Sequence, residues 1–599
     1  MTRQFRSGVG AATLSVRSGS SGLVVVAVLV GAGAGLGAVV FRWLIERATW
    51  VFTGRLGFAS AFPGDHAAHP WLPWLGAGFL VLAPAVGGLV QGPLVERFAP
   101  EARGHGVPEV MYAVSRRGGR IPGRVAVVKA LASAVCIGSG GSVGREGPIV
   151  QIGAALGSSL GRIARLPEAR LRTLVACGAA GGIAATFNAP IAGVFFALEL
   201  LLRDFAAESF GAVVLAAVTA SVAGRAAFGD TPFLRLPAFS LTSPWEYLLY
   251  ATLGLAAGAA GVLFTRVLYG VEDICDRLWR GARWARPAVG GLLLGGVLLA
   301  LPQMYGVGYP VLSRAVHGRY ALAFLLVLLL GKMLATSLTI GIGGSGGVFA
   351  PTLFCGAMLG AAFGDVAVWL LPGTAGSVGA YALVGMGAVF AGAARAPITA
   401  VLILFELTGE YSIILPLMLA IVLATGVSKA LSRDTVYTLK LRRRGVDVDA
   451  PVSDHRLGSA AVSGVMAAPP PTLDEGDPMS LAAAALLGSA PVVPVVRTGP
   501  EECSVDAVVG VLTAREVSES LADEPGGTRA VGEVATMPPY VRPNTSLARA
   551  LEVLMHSDST GVPVLDDDDR LCGWLTHQAL LRAVSATPGR SVRAEPRAR

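Results

Sequence analysis

Charge is scarce in this chain. Asp, Glu, Lys and Arg make up 15% of its 599 residues, against 53% hydrophobic residues and 78 glycines, which is too apolar and too glycine-rich for an ordinary soluble enzyme. Cysteine is also sparse. Cys136, Cys177, Cys275, Cys355, Cys503 and Cys572 are scattered without pairs at metal-ligand spacing, so neither a metal site nor a disulfide framework is indicated. The seven histidines, at 66, 69, 105, 317, 455, 556 and 577, form no spacing that would serve an enzyme of the bilayer interior; such an enzyme needs a paired nucleophile and base or a metal cluster on facing helices. A cleavable signal peptide is not expected, because the first apolar run is long and no small-residue cleavage site follows a short hydrophobic core.

What the sequence does have is apolar length. More than a dozen apolar stretches lie between Leu23 and Ala430, among them Leu23 to Val40, Trp71 to Val90, Tyr247 to Leu268 and Ala321 to Ile340. Several reach the roughly 20 residues that span a bilayer. Others, such as Ile149 to Leu160 and Ile398 to Leu407, are shorter and are bounded by Gly and Pro, as in half-membrane helices whose free backbone ends are shielded by protein or face a water-filled path. Basic residues mark cytoplasmic flanks by the positive-inside rule: Arg3, Arg6 and Arg17, the cluster Arg116, Arg117, Arg120 and Arg124, and Lys440 with Arg442 to Arg444. The expectation is a multi-pass cell-membrane protein with both termini in the cytoplasm. Residues 451–599 hold 12 Arg, no Lys and 19 acidic residues, a net of −7, so residues 1–450 carry +15 of the total +8. A basic membrane part suits an anion pathway, but basic cytoplasmic loops are general in membrane proteins and that explanation carries more weight; no nucleic-acid partner is expected.

The membrane part repeats itself. Gly138-Ser-Gly-Gly-Ser-Val-Gly-Arg-Glu-Gly-Pro148 is echoed by Gly341-Ile-Gly-Gly-Ser-Gly-Gly-Val-Phe-Ala-Pro351, 203 residues later, and Ala189 to Leu200 is echoed by Ala396 to Leu407, 207 residues later. Repeats of this length with interrupted helices at corresponding places are how secondary transporters build a site at the bilayer midplane, often with inverted topology. Five prolines, Pro108, Pro148, Pro190, Pro351 and Pro397, follow small or irregular residues and open apolar helices. Proline suits the first helical position, where its missing N–H is not needed. Each such start offers free backbone N–H groups and the positive end of the helix dipole. Gly104, Gly106, Gly144, Gly147, Gly346 and Gly347 precede these starts and remove the side chains that would hold an anion away from the amides. Close helix packing by small residues is the competing explanation for the glycines, but it does not account for their placement before a prolyl helix start.

These residues resemble a known family. Gly104-His-Gly-Val-Pro108, Gly144-Arg-Glu-Gly-Pro148 and Gly347-Val-Phe-Ala-Pro351, followed by Tyr437, are similar to the three anion-site signatures and the pore tyrosine of the CLC chloride channels and proton/chloride exchangers, over roughly residues 20–440. The resemblance implies a homodimer with one anion pathway per subunit, moving chloride or another small anion, with protons as a second substrate in the exchangers and no required cofactor. It implies that His105, Gly106, Arg145, Gly147, Val348 and Phe349 surround the anion, that the Tyr437 hydroxyl donates to it, and that Glu146 is the gating glutamate. The chemistry agrees, since a carboxylate tethered among helix-start amides competes for the anion's place and gives it up when protonated. A structural ion pair with Arg145 is the alternative role for Glu146. Two positions depart from the family pattern. His105 stands where serine is usual, placing a titratable imidazole in the inner signature. Leu200 follows Glu199 where exchangers often carry a second glutamate for proton access, so a passive channel is the alternative to an exchanger. Glu199 is echoed by Glu406, which suits a structural, helix-packing role for both. Lys129 and Lys332, on otherwise apolar helices, are expected to be buried structural partners or to snorkel.

After Lys440 the composition changes to a soluble α/β segment that also repeats: Ala490-Pro-Val-Val-Pro-Val-Val leading to Gly510-Val-Leu-Thr513 resembles Gly561-Val-Pro-Val-Leu leading to Gly573-Trp-Leu-Thr576. The extra residues of the first copy, Arg497 to Val508, read as a lengthened hairpin. The segment resembles a CBS-domain pair. In such pairs an adenine nucleotide is often held by an acidic residue three positions after the threonine, which Glu516 supplies after Thr513, whereas Ala579 follows Thr576; a dimerising pair without ligand is the alternative. Asp566 to Asp569 reads as a hairpin turn and not as a metal site.

The expected organisation is a cytoplasmic segment 1–22, an all-α polytopic membrane domain 23–440 of two inverted repeats (roughly 70–230 and 245–437) with broken half-membrane helices, a linker 441–463, CBS repeats at 464–522 and 531–588, and a basic tail 589–599. A nucleotide sensor with a mere membrane anchor would not need the repeated anion-site design.

Overall fold

A computed structural model of the chain describes residues 20–55, 69–229, 243–447, 460–488, 492–497, 507–524, 526–557, 560–567 and 569–585. The N-terminal arginines, much of the linker, the tip of the hairpin after Arg497 and the basic tail lie outside these residues.

The membrane part is helical, and its order follows the repeat seen in the motifs. A long helix α1 (Ser20–Thr53) precedes α2 (Phe79–Phe98), α3 (Val107–Arg116), α4 (Arg124–Gly138), α5 (Glu146–Ile163), α6 (Glu168–Phe187), α7 (Pro190–Phe196) and α8 (Ala207–Phe228). A second long helix α9 (Glu246–Leu278) precedes α10 (Arg286–Ala300), α11 (Tyr309–Val316), α12 (Leu322–Gly341), α13 (Phe349–Leu370), α14 (Val378–Ala394), α15 (Pro397–Thr408) and α16 (Ile414–Leu431). A short α17 (Thr438–Arg443) closes the membrane unit. Helix α1 packs on α4, α6 and α8, and α9 packs on α12, α14 and α16, so the equivalence reaches back to α1, ahead of the boundary near residue 70 expected from the motifs. Helix-on-helix packing leaves no motif of its own in α1, which is why the sequence echoes start later.

Glycines set the closest approaches. A Cβ on Gly153 of α5 would overlap the Gly178 carbonyl of α6, and one on Gly178 would overlap the Gly153 carbonyl; Gly356 of α13 and Gly385 of α14 stand in the same reciprocal contact. Gly356 lies 203 residues after Gly153, the interval of the motif repeat. Within these pairs glycine therefore serves close backbone-to-backbone packing of the helices. Helices α1, α8, α9, α12, α13 and α16, together with the stretch Pro73–Phe98, are long and apolar enough to cross a membrane. The run from Trp71 is broken at Gly76, whose φ is 51°, so α2 begins only at Phe79.

The prolines distribute differently from the expectation that each takes the first helical position. Pro190 and Pro397 do, Pro108 is second, and Pro148 and Pro351 are third. All five positions lie in the first turn, where the amide has no intrahelical acceptor and its absence costs nothing. The consequence is that Glu146 and Phe349, two residues earlier, are already the first helical residues.

The C-terminal unit, Asp449–Arg599, contains β1 (Leu473–Asp474), α18 (Met479–Gly488), β2 (Val492–Arg497), β3 (Ala507–Thr513), α19 (Ala514–Asp523), α20 (Leu547–Met555), β4 (Gly561–Leu565), β5 (Leu571–Thr576) and α21 (His577–Ser585). Strand β1 runs parallel to β2, which pairs antiparallel with β3; Val541 makes a parallel bridge to β4, which pairs antiparallel with β5. Both hairpins carry an irregularity at the same place, Val495/Val496 and Val564/Leu565. The turn at Asp566 is held by its own carboxylate accepting from Arg570 N (2.9 Å) and by Arg542, which donates to the Asp566 carbonyl (2.6 Å) and pairs with Asp567 and Asp569.

Candidate functional site

Three glycine loops meet at the centre of the membrane unit. Gly144 and Gly347 exchange backbone hydrogen bonds (2.8 and 2.6 Å), and Gly104 N donates to Gly344 O (3.3 Å) while Gly346 N donates to Gly104 O (3.4 Å). The starts of α3, α5 and α13 follow these loops directly. Gly106, the residue before α3, has φ 79°, a left-handed conformation that glycine adopts without strain. Ser345 Oγ donates to the Ala102 carbonyl (2.9 Å) and lies 2.9 Å from Ser133 Oγ, tying the loops from behind.

Two buried lysines brace the arrangement. Lys129 Nζ on α4 donates to the carbonyls of Ala102 (2.9 Å) and Gly104 (2.7 Å), and Lys332 Nζ on α12 donates to Ser142 Oγ (2.9 Å) and the Gly306 carbonyl (3.0 Å). Lys332 lies 203 residues after Lys129. Each amine is fully buried; Lys129 donates to two backbone carbonyls and Lys332 to one hydroxyl and one carbonyl, the structural use expected from their apolar surroundings.

Glu146 is 2% exposed. Its Oε1 accepts from the Tyr309 hydroxyl at 2.6 Å, and its Oε2 accepts from Ala350 N, in the first turn of α13, at 3.4 Å. A Cβ on Gly144 would overlap Oε2, and one on Gly347 would come within 3.3 Å of it, so the glycines leave room for a negatively charged oxygen against the helix starts. Gly346 does not serve that purpose; a Cβ there would overlap Val143. Arg145, just before α5, donates to the Thr186 carbonyl (3.4 Å) and lies over the rings of Phe187 and Tyr309. Val348 and Phe349 begin α13, and the Phe349 ring packs on Phe187 and Phe390. The Gly147 amide lies 2.7 Å from where a Gly347 Cβ would be.

His105 and Tyr437 form the neighbouring wall, each 1% exposed, with ring centroids 6.1 Å apart. The His105 Nε2 is 3.3 Å from the Tyr269 hydroxyl, which donates to the Val436 carbonyl at 2.7 Å. With that hydroxyl proton committed, Nε2 is the donor to Tyr269. Nδ1 is buried with no hydrogen-bond partner among the described residues.

Glu199 and Glu406 face away from this centre. Glu199, in a π-helical turn that continues α7, accepts from Ile398 N (3.1 Å), Thr399 N (2.8 Å) and Thr399 Oγ1 (2.7 Å) at the start of α15. Glu406, on α15, accepts from Ile191 N (3.0 Å) and Ala192 N (2.7 Å) at the start of α7. Each glutamate thus caps the other repeat's helix, and Leu200 beside Glu199 is buried.

Sequence reasoning missed Tyr309 and Tyr269. For Tyr309 the signal was present: Gly306-Val-Gly-Tyr-Pro310 repeats the spacing of Gly104-His-Gly-Val-Pro108, 202 residues later. In the C-terminal unit, the Glu516 carboxylate accepts from Thr513 N (2.7 Å), Thr513 Oγ1 (2.9 Å) and Thr536 Oγ1 (3.0 Å), forming a capping box at the start of α19. Thr576 Oγ1 accepts from Ala579 N (3.1 Å) at the start of α21.

Comparison with known proteins agrees with this geometry. The family profile described as voltage gated chloride channel matches residues 87–429, and that of the CBS domain matches residues 531–586. The chain is 36% identical over 429 residues, 71% of its length and 98% of the relative's, to a putative chloride channel protein ClcB-like of Ralstonia nicotianae. It is 37% identical over 377 residues, 62% of its length and 80% of the relative's, to an H(+)/Cl(-) exchange transporter ClcA of Vibrio parahaemolyticus. Among solved structures, a slow cyanobacterial Cl-/H+ antiporter matches with TM-score 0.63 and 28% identity over 70% of this chain and 97% of the other. A eukaryotic CLC transporter shares the fold over 93% of this chain and 97% of the other, with TM-score 0.60 at 22% identity. The glycine loops, the duplicated helices and these matches together show that the chain belongs to the voltage gated chloride channel family and is a multi-pass membrane protein with a C-terminal CBS region.

Proposed function

We propose that the chain exchanges chloride for protons across a cell membrane, with Glu146 as the gate and a homodimer as the working unit. The observation that carries this reading is the Glu146 carboxylate lying among the glycine loops at the first turn of α13. First-turn amides have no intrahelical acceptor, so they bind whichever anion is present. The carboxylate is one such anion and chloride is another. Protonation removes the charge of Glu146 and its hold on the amides, and chloride then takes the place; this links proton and anion occupancy at one centre.

In this reading the amides of Arg145, Gly147, Val348 and Phe349 face the ion, Gly106 lets the backbone turn toward it, and the Tyr437 hydroxyl and the His105 ring line the inner side. Chloride is held by dipoles and hydroxyls instead of a full positive charge, which allows release. Relatives named as H(+)/Cl(-) exchange transporters favour exchange over passive conduction. No cofactor is required for the transport step. The termini are assigned to the cytoplasm on the positive-inside rule, and the CBS region is assigned a regulatory role. An adenine nucleotide at Thr513 and Glu516 would have to displace the capping box, and Thr576 has no acidic partner three positions on.

Glu146→Gln tests the reading. In liposomes, the variant is expected to pass chloride at a rate independent of pH and to move no protons. A pH profile matching wild type would remove Glu146 from the gate.

A further inference from the structure

The loop Gly306-Val-Gly-Tyr-Pro310 is built like the loop Gly104-His-Gly-Val-Pro108. Both glycines of each loop have positive φ, 75° and 79° at Gly104 and Gly106, 63° and 94° at Gly306 and Gly308. Each loop is held by a repeat-equivalent lysine through the carbonyl of its first glycine, Lys129 on Gly104 and Lys332 on Gly306. Each leads into a short helix, α3 or α11. The second repeat therefore brings to the centre a loop of the same design as the inner signature, and it carries Tyr309 where the first repeat carries Val107. The phenol oxygen of Tyr309 is 2.6 Å from Glu146 Oε1, and its ring lies under the Arg145 guanidinium, 5.4 Å from ring centroid to Cζ.

We propose that Tyr309 is a positioning residue that latches the Glu146 carboxylate in the anion site and so sets the pH at which anions gain access. The inference rests on Glu146 being the gate. A phenol O–H donates most strongly to an ionised oxygen, so the latch favours the charged, blocking form of Glu146 over the protonated form that leaves. The other charged or titratable groups around Glu146 are Arg145 beside it, Lys332 on α12 and Tyr437 before α17. Lys332 is committed to Ser142 Oγ and the Gly306 carbonyl. Tyr309 is the side chain whose hydroxyl can be deleted while its ring stays under Arg145.

The test is chloride flux through the purified full-length protein in liposomes, measured against pH for wild type, Tyr309→Phe, Glu146→Gln and the double variant. Losing a hydrogen bond to a charged group corresponds to about a ten- to hundredfold change in the proton concentration needed to free the site. The half-maximal pH of Tyr309→Phe should therefore lie about one to two pH units above that of wild type. The double variant should be as flat as Glu146→Gln alone. A Tyr309→Phe profile with the wild-type midpoint, whether or not its amplitude falls, would overturn the latch while Glu146→Gln still flattens. A Glu146→Gln profile with the wild-type midpoint would instead overturn the gate and the latch with it.

Discussion

Replacing Glu199 with Ala separates a structural glutamate from a proton carrier. The side chain accepts three hydrogen bonds at the start of α15: one from Ile398 N at 3.1 Å, and two from Thr399 at 2.8 and 2.7 Å. Thr399 is fully buried, and it gives both its amide and its hydroxyl to Glu199 at the shorter distances. The two bonds from Thr399 therefore dominate. Hydrogen bonds to a charged group contribute about 1.5 to 3 kcal/mol each, and loss of a helix cap about 1 kcal/mol. Allowing for partial resolvation, Glu199→Ala should destabilise the folded protein by about 2 to 4 kcal/mol. Glu406→Ala loses bonds from Ile191 N and Ala192 N and no hydroxyl, so its effect should be smaller. Glu199→Gln keeps one acceptor oxygen and should fall between wild type and Glu199→Ala. The assay is the thermal midpoint of detergent-solubilised protein, read beside chloride-driven proton movement in liposomes. The capping account expects a lowered midpoint with proton movement retained by the fraction that folds. An unchanged midpoint together with lost proton movement would refute it and make Glu199 a proton carrier.

Tyr437→Phe should weaken chloride binding by about 1.5 to 3 kcal/mol while transport persists, because the helix-start amides remain; isothermal titration with chloride checks this, and unaltered affinity would remove Tyr437 from the anion's surroundings. His105→Ser should remove the hydrogen bond to Tyr269 and leave the pH profile of flux to Glu146, since a buried neutral ring is exchanged for a hydroxyl; a profile that lost its sensitivity to internal pH would make His105 a second titrating group of the pathway.

The sequence announced the parts of the site that depend on backbone geometry. Gly-X-Gly-X-Pro and Gly-Arg-Glu-Gly-Pro are local patterns, because the turn, the free amides and the helix start they encode lie within a few residues. The repeat interval was legible for the same reason, and it paired Glu406 with Glu199; that Lys332 is the repeat partner of Lys129 emerged only from the loops they hold. Contacts made by side chains from distant segments were not legible. Nothing local to Tyr269 indicates that its hydroxyl lies between His105 and the Val436 carbonyl, 164 and 167 residues away in the chain. Tyr309 was obscured differently. Its loop carries the repeated glycines and proline, but the residue that differs between the copies is the one that reaches Glu146. The packing of α1 on α4, α6 and α8 rests on alanine and glycine faces, such as Gly31 against Ala216, and such faces are common to most membrane helices.

Exchange itself is tested most directly with the purified wild-type protein in liposomes given a chloride gradient and no proton gradient. The account predicts that chloride running down its gradient drives protons uphill in the opposite direction, and that Glu146→Gln carries chloride without them. Chloride flux through the wild-type protein with no uphill proton movement would contradict the exchange reading and leave a passive pathway in its place.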